Sequence, residues 1–200
     1  MEVFGGYTFV RVNTGTQVNA FTTNGGLASF QYNINTNLGF VGELGGTHQG
    51  DITVAGPAIP FDQTQFTYLF GPRVFVNKER RFSPFIEFLV GGIHNSRSFS
   101  VPNALLPAPL VVPRGVTAEP GSSATKFRST QNAFAMALGG GLDIKLSKMV
   151  AVRPIQLDYL PSHFSPLNIP GVPAGLNDTN WQHNLRYSAG VTFGFGSTNK

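Results

Sequence analysis

Along most of this chain, large apolar side chains recur at every second position. Between 132 and 146, Phe134, Met136, Leu138, Leu142, Ile144 and Leu146 fall on one side. Ala133, Ala135, Ala137, Gly139, Gly141, Asp143 and Lys145 fall on the other. A repeat of two marks a β-strand, because successive side chains leave opposite faces of the pleat. The stretch 181–195 does the same, setting Leu185, Tyr187, Ala189, Val191, Phe193 and Phe195 against Asn184, Arg186, Ser188, Gly190, Thr192 and Gly194. The same rule predicts strands at 2–12, 26–35, 38–47, 64–77, 83–97 and 150–160. In the last of these, Pro154 predicts a bulge that leaves the face of Arg153 open.

The connections differ systematically in length. Long polar or proline-rich loops at 13–25, 50–63, 99–130 and 161–180 alternate with short turns at 35–37, 78–81 and 147–148. A soluble β-sandwich gives no reason for such segregation. An even number of strands with short turns at one end and long loops at the other is the layout of outer-membrane barrels. The pattern therefore predicts an all-β fold, an eight-stranded antiparallel up-and-down transmembrane β-barrel over 1–195, followed by a short tail at 196–200.

Composition sharpens this picture. Charged residues make up 12% of the 200 residues, against about 25% in soluble domains. Apolar runs are too short for a transmembrane helix. There is no cysteine, hence no disulfide or thiolate metal site. The net charge of +4 is spread out, with no basic run or helix that would suggest nucleic-acid binding. No secretion signal precedes Glu2, so removal of a signal and a bacterial outer-membrane location are expected.

With lipid outside, the greasy faces point outward. The opposite faces carry Glu43, Arg73, Glu87, Asp143, Lys145, Asp158 and Arg186. These are expected to form an interior charge network, since an eight-stranded lumen is filled by side chains and buried charges must be paired. Such a network is a structural plug; its rearrangement into a narrow gated channel is the alternative. Tyr32, Phe40, Phe193 and Phe195 are expected in the girdle near the short turns, and Tyr68, Tyr159 and Trp181 in the one near the long loops.

The stretch 188–195 matches the polar-x-Gly-x-x-aromatic-x-aromatic signal of outer-membrane barrels, with Ser188, Gly190, Phe193 and Phe195 at the signal positions. Together with the opening 2–7, Phe70-Gly71-Pro72-Arg73 and the stretch 135–143, the chain resembles the small outer-membrane β-barrel family related to the outer-membrane protein A transmembrane domain. The resemblance implies a monomer inserted by the barrel-assembly machinery, with a structural or surface-interaction role and no cofactor. These 200 residues hold no peptidoglycan-binding domain beside the barrel, so cell-wall anchoring is not among the expectations that carry over.

Other chemistry is weakly supported. His163-Phe164-Ser165 is similar to the His-x-Ser of lipid A deacylase, another small barrel, but the orienting carboxylate is missing and Asp178 is the acid that the following loop offers. No catalytic residues are assigned. His48, His94, His163 and His183 are scattered without metal-ligand spacing. Arg11, Arg97, Arg114, Lys126 and Arg128 lie near the long-loop rim and are candidates for lipopolysaccharide phosphates. The apolar run 104–113 is a candidate lid or contact surface.

Overall fold

A computed structural model describes residues 1–12, 21–53, 60–78, 80–106, 112, 116–164 and 181–195. Eight strands close into a barrel: β1 (Glu2–Val12), β2 (Phe21–Asn33), β3 (Leu38–Thr53), β4 (Pro60–Phe75), β5 (Phe82–Pro102), β7 (Ala124–Lys145), β8 (Val150–His163) and β9 (Trp181–Gly194). The short β6 (Val116–Pro120) lies beside β7. Every neighbouring pair is antiparallel; β5 pairs with β7 past the short β6, and β1 pairs with β9 to join the first and last strands of the circle. The expected tail lies outside the described residues.

The register fixes the barrel's shape. Starting at His48, successive partners Asn24, Phe9, Tyr187, Leu157, Gly140, Ile86 and Val74 lead back to Leu38, ten residues lower on the same strand. With strands about 4.8 Å apart and a rise of about 3.3 Å per residue, that offset tilts the strands by roughly 40°.

Alternation decides the faces as expected. Phe30, Tyr32, Phe40, Leu44, Phe70, Ile86, Phe88, Phe134, Leu138, Leu157 and Leu185 are exposed, while Glu43, Arg73, Glu87, Asp143, Asp158 and Arg186 are buried inside. The expected girdle aromatics Tyr32, Phe40, Phe193, Phe195, Tyr68, Tyr159 and Trp181 are all outward and exposed. The bulge falls between Arg153 and Gln156, so Pro154 and Ile155 both face outward. That double step turns Arg153 inward.

Short turns are built by local side chains. Asn35 Oδ1 accepts the backbone N–H groups of Asn37 (2.9 Å) and Leu38 (2.7 Å). Ser147 Oγ accepts those of Met149 and Val150. These are the Asx and Ser turns such residues favour.

Strand reaches into every expected long loop, with β2 beginning at Phe21, β3 ending at Thr53, β4 beginning at Pro60 and β8 ending at His163. In 99–130, β5 runs on to Pro102 and β7 begins at Ala124, paired without interruption from Phe82↔Ile144 to Pro102↔Ala124. Beyond the end of β8, β6 takes the free edge of β7, from Val116↔Ser129 to Pro120↔Thr125. A three-stranded extension thus rises above the long-loop rim. Phe99 and Phe127 stack inside it at 5.4 Å, with Val101 and Val116 buried nearby. Asn103 ties its tip, donating from Nδ2 to Gly121 O (2.9 Å) and accepting from Thr125 Oγ1 (2.9 Å).

Candidate functional site

The lumen is where the inward faces converge. Glu43, Arg73, Glu87, Asp158 and Arg186 come from β3, β4, β5, β8 and β9, and they meet because the lumen is only wide enough for side chains. Arg186 Nη1 pairs with Glu43 Oε1 at 2.6 Å, and its Nε and Nη2 donate to Asp158 Oδ2 at 3.0 and 2.8 Å. Gln156 Nε2 donates to Asp158 Oδ2 (3.0 Å) and to Glu87 Oε1 (2.7 Å). Arg73 Nε donates to Glu87 Oε2 (2.7 Å), and Arg73 Nη1 to Gln31 Oε1 (2.9 Å).

A second branch leaves Gln156, whose Oε1 accepts from Arg153 Nη1 at 2.8 Å. Arg153 then grips Asp143 in a two-pronged bond, Nε to Oδ1 at 2.7 Å and Nη2 to Oδ2 at 3.0 Å. Its guanidinium lies 4.5 Å from both the Phe4 and Phe85 rings, and that of Arg73 lies 4.3 Å from Phe85. Planar guanidinium groups suit this double use, bonding in plane and stacking on aromatic faces. Arg73 and Arg153 are therefore each matched by carboxylate, amide and ring, and Arg186 by two carboxylates, as burial demands.

At the short-turn end, Lys78 continues the chain of contacts. Its Nζ bonds Asn33 Oδ1 (2.5 Å) and pairs with Glu2 Oε1 (2.8 Å), and it lies 4.4 Å from the Phe75 ring. Burial lowers the Lys78 pKa, and the hydrogen bond and charge of Glu2 oppose the shift. Lys145, expected in the network, sits half-buried at this mouth instead and makes none of the network's bonds. It lies too close to the turn, where the mouth widens to solvent.

Toward the long loops the lumen lining is mixed: β5, β7 and β8 contribute an apolar side, opposite buried Thr47, Gln65, Thr67 and Asn184. Leu89 lies two residues above Glu87 on the same face of β5, with Ile93 beyond it, and Leu160 lies two above Asp158. With Leu69, Phe164, Ala135 and Ala137 they form one buried cluster. Arg97 stacks over Phe164 at 5.7 Å.

The network contains residues that alternation placed on the right face without assigning them a part, namely Gln31 and Gln156. Arg153 was legible only once the bulge was settled. Ser188 is buried and donates to Thr8 Oγ1 at 2.9 Å, while Phe193 and Phe195 face outward. Gly190 faces Gly6 across the closing seam. His163 is exposed and meets Trp181 edge-on at 5.0 Å; Ser165 and Asp178 lie outside the described residues. Arg11, Lys126 and Arg128 are exposed near the long-loop rim, Arg97 is buried, and Arg114 lies outside the described residues. Much of the apolar run 104–113 does as well.

No protein-family model matches the chain, and no curated protein matches it in sequence. Solved structures do. Ail, the attachment invasion locus protein of Yersinia pestis, is 15% identical, with a TM-score of 0.55 over 96% of this chain and 95% of that one. Neisserial surface protein A is 13% identical, with a TM-score of 0.56 over 97% and 96%. The chain accordingly has the closed eight-stranded barrel fold of the small outer-membrane proteins.

Proposed function

We propose that the protein is a non-enzymatic, monomeric barrel of the bacterial outer membrane, with a plugged interior and a surface-interaction role on its long-loop side. The observation that carries this is the continuous lumen network from Glu43 to Asp143, with Leu89, Ile93, Leu160 and Phe164 packed beside and beyond it. Ions crossing it would have to break buried pairs in a lumen filled by side chains, which is costly. What projects from such a scaffold is free to vary, and binding residues gather there. The extension of β5, β6 and β7 is the described feature best placed for that role, with Lys126 and Arg128 exposed along it and Arg11 at the rim below. These cations suit phosphate- or sulfate-bearing sugars, lipopolysaccharide among them. Ail, of the same fold, has been crystallised with the heparin analogue sucrose octasulfate.

Planar-bilayer recording of the wild type beside Glu87→Ala and Arg73→Ala tests the plug. Silence from all three is expected, because the Arg186 and Arg153 pairs still fill the narrow lumen when Glu87 or Arg73 is removed. A steady conductance from the wild type would overturn the reading in favour of a channel.

A further inference from the structure

The four histidines look scattered in sequence, yet the barrel gathers them. On the tilt set by the register, the Cα atoms of His48, His94, His163 and His183 lie within about 3 Å of one height. All four project from the outer face. At the same level β1, β2, β4 and β7 contribute Arg11, Thr22, Thr64 and Asn132, so every barrel strand places a polar side chain there. One outward position nearer the membrane centre, β1, β4, β7 and β9 carry Phe9, Phe66, Phe134 and Leu185, all exposed. The ring therefore marks the line where hydrocarbon gives way to headgroups.

Three imidazoles are held from one side. His48 Nδ1 bonds Thr64 Oγ1 (2.9 Å), His94 Nδ1 bonds Asn132 Oδ1 (2.6 Å), and His183 Nδ1 bonds the Tyr159 hydroxyl while stacking on its ring. The fourth, His163, rests against Trp181. The exposed edge of each held ring then carries Nε2 at the level of lipid phosphates, and a protonated imidazole donates from both ring nitrogens. Around the rings stand Arg11, a permanent cation opposite Leu185 and so diagonal to His183 across the seam, and Asp62, one outward position above Thr64. Asp62 is the carboxylate at this level among the described outward-facing side chains.

We propose that this histidine girdle docks the anionic phosphate headgroups of outer-leaflet lipid, and grips them more tightly on mild acidification. The inference rests on the membrane-barrel reading above. Histidine as a residue type gains charge under mildly acidic conditions, and cations at an anionic lipid surface attract it additively. A soluble phosphate compound would gain nothing from the apolar belt beneath the ring, whereas a bilayer headgroup is aligned by it.

Trp181 is the chain's single tryptophan and touches His163, so it reports on the girdle directly. The protein would be refolded into phosphatidylcholine vesicles carrying a trace of spin-labelled phosphatidylglycerol or, in parallel, of spin-labelled phosphatidylcholine. Quenching of Trp181 measures the relative affinity of each lipid for the girdle. Preference for the anionic lipid is expected to rise about fivefold for each imidazole that takes up a proton. The combined variant His48→Asn, His94→Asn, His163→Asn and His183→Asn keeps hydrogen bonding but loses the rise; single replacements lose it in part. Equal quenching by both lipids at both pH extremes would overturn the proposal, and so would an undiminished rise in the fourfold variant. Heat-modifiable gel migration confirms that each variant has folded. If the wild type fails to insert into vesicles at all, the membrane-barrel reading itself is overturned, an outcome distinct from the other two.

Discussion

Arg186→Met is the most direct trial of the lumen network. Arg186 is fully buried and is an ion-pair partner of Glu43, at 2.6 Å, and of Asp158, at 2.8 Å. Methionine fills much of the volume but leaves both carboxylates without their cation. Asp158 keeps Gln156 Nε2 at 3.0 Å, a neutral donor that cannot balance its charge. Removing one member of a buried pair costs about 3–5 kcal/mol, most of it the burden of the charge left behind. The assay is urea unfolding of the barrel in vesicles, followed by the shift in gel migration between folded and unfolded forms. The reasoning makes a second demand: neutralising the orphans in Arg186→Met/Glu43→Gln/Asp158→Asn should recover at least half of the loss, because charge and not shape is the fault. A loss below about 1 kcal/mol for Arg186→Met alone would place the pair with weak surface bridges and refute the claim that the network holds the lumen together. Failure of the triple variant to recover would point to packing instead.

Other consequences follow from single features. A side chain at Gly190 would press on the seam, since a Cβ there lies 2.5 Å from Gly6 Cα; Gly190→Leu should lower stability by about 1–3 kcal/mol or more, or prevent closure, read as loss of heat-modifiable migration. Lys78 should make stability rise with pH. Its folded pKa is lowered from 10.5, so between the lowered value and the ordinary one the unfolded chain binds more protons, and stability grows as pH climbs through that window; Lys78→Met should abolish that component of the slope in alkaline unfolding titrations. Phe127→Ala removes half of the stack with Phe99. It should loosen the extension by about 3–5 kcal/mol and admit protease within 116–130, while the barrel keeps its migration shift.

How much of this could be read from the residues depends on where each one sits. Within the membrane, lipid on one side and a narrow lumen on the other force a strict contrast, which is why the faces of 132–146 and 181–195 were plain. Above the membrane both faces meet water, the contrast fades, and serines, threonines and prolines at 99–102, 116–120 and 124–130 resemble a loop although they pair as strand. Arg153 lay beyond simple parity because the bulge at Pro154 spends two residues on one face. Lys145 had the right parity but the wrong height. The histidine girdle needed the ten-residue offset of the register, a quantity set by how the cylinder closes and invisible in any one strand.

That closure has a further implication for how the protein comes into being. Met1 and Phe195 bond each other's backbones, at 3.1 and 2.8 Å, so the joint between the first and last strands links residues 194 positions apart. Until β9 has arrived, β1 and β8 each present a bare edge of peptide groups, which hydrocarbon cannot solvate. Insertion therefore cannot proceed strand by strand as the polypeptide emerges: the whole chain must be on hand before the first strand can be committed to the bilayer.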